Sequence, residues 1–226
     1  MKKITCTLIT LCLTIFSLGH AAQLDFHSQA SQDEFTYTLL YSLLGKQDKG
    51  HYLEIGAWDP IDTNNSYVFD TRLGWKGVSI DIVNTYVERW SKLRNNPLLI
   101  QDAMQVDYDA LLASFPESID YLSLDVDDTY DVVLRRIPFD DHTFKVITIE
   151  HDAYRLGEYY RTEERKILSS LGYHLLCPDV SYIGLTFEDW WIHPSAFPEE
   201  IFSKLCSLDL AGKDHQEIIE ILQRLK

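Results

Sequence analysis

Five short runs of branched and leucine-rich residues punctuate the chain, at 51–57, 77–82, 97–102, 119–126 and 145–150. They carry little polar alternation, as expected of strands covered on both faces. Two later runs, 172–177 and 188–193, bring the expected strands to seven. Between the runs the apolar spacing lengthens to a helical period. Ser31 and Glu34 have capping-box spacing, which predicts a helix from there to about Leu44. Residues 65–73 predict a helix that ends at Gly74, a C-terminal cap. Residues 86–93, 108–114, 131–136 and 162–171 fill the later gaps, and 215–225 place Ile218, Ile219, Leu222 and Leu225 on one face. Repeated strand–helix–strand order predicts an α/β fold, a Rossmann-like and mostly parallel sheet with helices on both faces.

Ligands of such sheets bind beyond the carboxyl ends of the strands, where the strand order reverses. The residues after each run are therefore the informative ones. Glu54, Gly56, Trp58 and Asp59 follow the first, Asp81 the second and Asp102 the third. Asp125, Asp127 and Asp128 follow the fourth, and Glu150, His151 and Asp152 the fifth. Nearly every strand is expected to end in a carboxylate on one rim.

The 226 residues hold 20 Lys and Arg against 35 Asp and Glu, a formal charge of −15. That balance excludes nucleic acid as a partner, because no strong basic patch interrupts it. At this length one core buries about 70% of the unfolded surface, so no disulfide scaffold is needed. The start has a different pattern. Lys2 and Lys3 precede an uncharged apolar stretch, and small residues stand before a cut after Ala21. This predicts a signal peptide over 1–21 and an exported single domain over 22–226, without a stable membrane span after cleavage. Cys177 and Cys206 then stay in the mature chain, either as one disulfide or as two thiols.

Gly56 and Asp81 have the spacing of a nucleoside site, in which the acid accepts hydrogen bonds from two ribose hydroxyls. The turn at 54–60 has one glycine and lacks the Gly-x-Gly-x-x-Gly pattern, which disfavours a dinucleotide. A ligand with no phosphate and a positive sulfonium, such as S-adenosylmethionine, suits this acidic turn better.

Glu-Ile-Gly-Ala-Trp-Asp-Pro at 54–60, Asn-Ser-Tyr at 65–67 and Leu-Gly-Trp-Lys-Gly-Val-Ser-Ile-Asp at 73–81 resemble the FkbM-type methyltransferases. So do the blocks at 119–126 and 146–152 and the closing Phe-Glu-Asp-Trp-Trp-Ile-His-Pro at 187–194, all in the family's order. The resemblance implies a seven-stranded methyltransferase fold and an S-adenosylmethionine cofactor. It also implies O-methylation of a hydroxyl on a sugar or another small molecule. By position, Glu54 and Gly56 would border the methionine part, Asp81 would hold the ribose, and Asp102 with Ala103 would sit near the adenine. Asp125 would face the methyl group and the acceptor. The chain departs from the family at Asp127-Asp128, where many members have Glu-Gly, and at Pro60, where many have glycine.

A hydroxyl acceptor is helped by a general base, and His151, beside Glu150, is the first candidate. The alternative is a divalent ion such as Mg²⁺ held by Asp125 with Glu150 or His151. Trp190 or Trp191 is a candidate sugar-stacking ring, His193 a further candidate, and Tyr154, Arg155, Tyr159 and Arg161 a candidate substrate loop. The export signal favours a competing reading, an exported binding module that keeps the fold without catalysis.

Overall fold

The computed structural model describes residues 24–225, so the expected signal segment lies outside the described residues. All seven strands form: β1 (His51–Ile55), β2 (Lys76–Asp81), β3 (Leu98–Ile100), β4 (Ser118–Leu124), β5 (Thr143–Glu150), β6 (His174–Tyr182) and β7 (Leu185–Ile192). They join in one sheet in the order β3-β2-β1-β4-β5-β7-β6. Strands β1 to β5 pair in parallel, and β7 runs antiparallel between β5 and β6. This is the seven-stranded, mostly parallel Rossmann-like sheet that the sequence predicts. The order reverses between β1 and β4, so a crevice opens at their carboxyl ends.

Strands β6 and β7 run longer than the sequence pattern predicts. Register shifts between Leu175 and Ser181, around Pro178 and Asp179, hide the continuation of β6. Proline and a bulge are tolerated because β6 is an edge strand. Ile183 and Gly184 close the hairpin, both with positive φ (48° and 81°), as a two-residue type I′ turn requires.

The helices are α1 (Gln32–Tyr37), α2 (Tyr67–Thr71), α3 (Val87–Leu93), α4 (Tyr108–Leu112), α5 (Tyr130–Leu134), α6 (Ala153–Leu156), α7 (Tyr159–Ser170), α8 (Glu199–Cys206) and α9 (His215–Gln223). The pattern gave no sign of α6 and α8. The predicted capping box at Ser31 does not form. Ser31 is left-handed with no side-chain cap, and its Oγ meets Nδ1 of His215 at 2.9 Å. Asp33 holds the entry instead, accepting the backbone N–H of His27 at 2.7 Å and of Glu34 at 2.9 Å. After Tyr37 the helix widens into a π-helical stretch, Thr38–Leu43.

Alternate residues of the central strands feed two cores, one on each face of the sheet. Leu53, Ile55, Ile80, Leu122, Ile147 and Trp191 pack on one side. Tyr52, Tyr121, Val146, Trp190 and Ile192 pack on the other. Both tryptophans are fully buried, which removes them as sugar-stacking rings. Cys177 is a buried free thiol and Cys206 an exposed one, so they form no disulfide. Among the described residues no helix is long and apolar enough to cross a membrane.

Segment 60–70 is fixed by one buried guanidinium. Arg94, just past α3, donates from Nε to Asp70 at 2.7 Å, and both side chains are wholly buried. Its other nitrogens reach Asn64 (2.9 Å), Ser66 (2.6 Å), the Pro60 carbonyl (3.2 Å) and the Tyr52 hydroxyl (3.2 Å). The Trp90 ring lies 4.2 Å from the guanidinium carbon. Asp70 in turn accepts from Asn96 Nδ2 at 2.9 Å. Truncating Arg94 would leave the Asp70 carboxylate buried without its charge partner. Arg94→Ala is therefore expected to lower the unfolding free energy by about 3–5 kcal/mol, read as a lower urea midpoint.

Candidate active site

A polar layer crosses the sheet near its carboxyl edge. Ser79, Glu54, Ser123 and Thr148 stand side by side in register on β2, β1, β4 and β5. Glu54 is the charged member and is buried. It accepts Ser79 Oγ at 2.6 Å, Ser66 Oγ at 2.7 Å and Ser66 N–H at 3.1 Å. Burial pushes its carboxyl up, against the pull of Arg94 and the hydroxyl donors. Glu54 borders the cavity, yet its carboxylate is committed to the loop before α2. It lines the cavity as the sequence predicts, and through Ser66 it also positions that loop. Asn65 crosses to the same layer and donates to Ser123 Oγ at 2.9 Å.

Gly56 is the sharpest constraint at this edge. Its φ is +86°, and a Cβ there would lie 1.4 Å from the Asp125 carbonyl oxygen. No other residue type fits such an approach. The same spot binds three strand ends together, because Gly56 N–H donates to Ile80 at 2.9 Å and Asp125 N–H donates to Ile55 at 2.8 Å.

Around this point lies a cavity of about 650 Å³, within the range of small-molecule sites. It collects Gly56, Asp81, Asp102, Asp125 and Glu150, as the sequence predicts. Asp81 ends β2 and accepts Trp58 N–H at 2.6 Å on one oxygen and Val83 N–H at 2.7 Å on the other. Each oxygen keeps a second lone pair for a ligand hydroxyl. Asp102 caps a short 3₁₀ turn by accepting Met104 N–H at 2.9 Å, and Ala103 and Met104 continue that wall.

Asp125 and Glu150 end adjacent strands and hydrogen-bond to each other. Burial, the shared hydrogen bond and the repulsion of the paired carboxylate push Glu150 up to about 12. Burial chiefly raises Asp125 as well, with Asp127 and Asp152 adding to it. The pair therefore holds a proton at neutral pH.

Eight carboxylates line the cavity: Glu54, Asp81, Asp102, Asp125, Asp127, Asp128, Glu150 and Asp152. Arg155 is the one basic side chain among the lining residues, and it pairs with Asp152 and Asp127. Trp58, Thr63, Asp127, Thr129 and Asp152, all lining residues, have positive φ. For threonine this backbone is strained, and such strain gathers at functional sites.

His151 does not belong to this cavity. It is fully buried behind the rim, where Nδ1 accepts Ala153 N–H at 3.1 Å. Its Nε2 points at Asp189 (3.6 Å) and Asp179 (3.7 Å), which Arg165 and Arg161 also hold. This corrects its expected roles as general base and as metal ligand beside Asp125. The physical reason is alternation. Glu150 turns toward the ligand edge, so the next residue turns away. His193 lies apart too, capping a 3₁₀ turn against Ser195. Of the expected substrate loop, Tyr154 and Arg155 reach the cavity. Tyr159 instead bonds Asp131, and Arg161 pairs with Glu158 and Asp179.

The sequence reading missed Gln29, Thr63 and Met104 as lining residues. Ser28 and Thr63 form an isolated bridge, which lays the N-terminal segment across the loop after β1. Nothing in the local pattern marks that long-range contact.

No protein-family model matches the chain, and no curated protein sequence matches it. The chain is similar to several solved structures, some of them described as methyltransferases. One is described as a candidate hemolysin from Streptococcus thermophilus (10% identity over 90% of this chain and 76% of that one, TM-score 0.49). Another is a magnesium protoporphyrin IX methyltransferase from Synechocystis PCC 6803 with bound S-adenosylmethionine (12%, 72% and 80%, TM-score 0.46). A third is an S-adenosylmethionine-dependent O-methyltransferase from Thermotoga maritima (12%, 71% and 64%, TM-score 0.44). Similarity at this level transfers no activity to this chain.

Proposed function

We propose that the cavity binds S-adenosylmethionine and that the chain transfers its methyl group to a small acceptor, as the FkbM-type resemblance implies. The observation that carries this reading is the site at the strand-order reversal, where Gly56 is pinned against Asp125 and Asp81 keeps two free lone-pair positions. The residues present fit that group. The carboxylates suit a sulfonium, the single-glycine turn offers no pyrophosphate cradle, and Asp81 has the two acceptor positions that a ribose diol needs. When bound, the group supplies an electrophilic methyl carbon, which a lone pair on the acceptor takes while the sulfur leaves as a neutral thioether.

The chain's own part is positioning and proton handling. Asp81 holds the ribose, and the wall at Asp102, Ala103 and Met104 borders the adenine. Asp125 and Glu150 set the charge beneath the reacting centre. With His151 turned away, the groups placed to move a proton are this pair and Asp152. The hydroxyl acceptor that the resemblance implies would therefore have to use one of these carboxylates, and not His151, as its base.

Replacing Asp81 by Asn keeps its shape and removes its charge. Asp81→Asn is expected to weaken S-adenosylmethionine and S-adenosylhomocysteine by about 10- to 100-fold in calorimetric titration, the range for hydrogen bonds to a charged group. Unchanged affinity with intact circular dichroism would overturn the ribose assignment. The carboxyl pair makes a second prediction. Glu150 titrates higher in the folded chain than its ordinary 4.5, so the folded state binds its proton more tightly. Its contribution to stability is present in acid and is lost as pH rises above 4.5. Glu150→Gln mimics the protonated form, so its Tm is expected to exceed that of the wild type by about 2–4 °C at pH 8, with the gap closing by pH 5.

A further inference from the structure

Resting on the methyl-transfer reading, we infer that the acceptor is a protonated alkylamine, held at Asp152 beside the Asp125–Glu150 pair. Asp152 lines the cavity at 3% exposure. Its Oδ2 is taken by Arg155, while Oδ1 is buried without any hydrogen-bond partner. A buried carboxylate oxygen left unpaired is unfavourable, and a donor from a ligand removes that penalty. The Tyr130 hydroxyl is also fully buried and without a partner; burial chiefly raises its pKa, and Asp125, Glu150 and Asp152 add to it.

Charge selects the kind of donor. Arg155 is the one cation lining the cavity, and it is already paired. An anionic acceptor meets repulsion from every wall. A neutral alcohol brings one donor and no charge to a site whose field favours cations. An ammonium brings positive charge and several N–H donors, enough for Asp152 Oδ1 and the neighbouring pair together. Asp127 and Asp128, exposed at the rim, can take a second ammonium on a longer chain. Before transfer, one proton passes from the bound ammonium to the Asp152 carboxylate, which leaves the nitrogen lone pair free.

The test begins by titrating S-adenosylhomocysteine into the chain, then uses the loaded chain. Propylamine, putrescine and spermidine are titrated beside 1-propanol and 1,4-butanediol. The amines are expected to bind at least tenfold tighter than alcohols of equal length. Asp152→Asn is expected to erase that preference. Alcohols that bind as well as the amines to the loaded wild type would overturn the inference while leaving the cofactor site standing. Failure of S-adenosylhomocysteine to bind would instead overturn the methyl-transfer reading beneath it. The wild-type comparison decides the matter even where Asp152→Asn fails to fold.

Discussion

The buried guanidinium of Arg94 is the interaction on which the ligand edge of this protein depends. It ties Asp70 on α2 to the end of α3, and through Ser66 it reaches the Glu54 carboxylate on β1. Two buried acids and one buried base in contact would be unfavourable singly, and each removes part of the others' desolvation penalty. The consequence is geometric. Val68 and Phe69 anchor α2 in the core, while the polar stretch just before it, residues 62–66, takes its path from the charge network. That path sets the loop over the cavity and lets Asn65 reach Ser123 on β4.

The cavity edge is built on a second economy of space. Gly56 permits β1 and β4 to end in contact, so the chain can gather carboxylates from five strand ends around one point. Such a collection repels itself. It survives through backbone donors to Asp81 and Asp102, a shared proton between Asp125 and Glu150, and Arg155 against Asp152. These devices cap individual charges and leave the net field negative. The proposed cationic ligands would complete that balance.

The buried cluster behind the rim has a different use. His151, Asp179, Asp189, Arg161 and Arg165 join β5, the β6–β7 hairpin and α7. Three of these are donors of metal-ligating type. Their carboxylates already face two guanidiniums, which makes the cluster an ion-pair lock on the hairpin. It holds in place the strand end from which Glu150 and Asp152 enter the cavity.

The sequence by itself determined the seven strands, the approximate ends of the first five and the carboxylate that follows each of those five. It did so because doubly covered strands leave continuous apolar runs, and because a ligand edge needs polar residues just where those runs stop. Gly56, Asp81, Asp102, Asp125 and Glu150 were legible for that reason. The tertiary structure alone decided which way each side chain turns and what partner it meets. His151 and Glu150 are neighbours in sequence on opposite sides of the rim, Glu54 faces Ser66 and Ser79, and Gln29 arrives from the segment ahead of α1. Local pattern carries the period of a strand, whereas burial, pairing and charge state arise from contacts between residues distant in sequence.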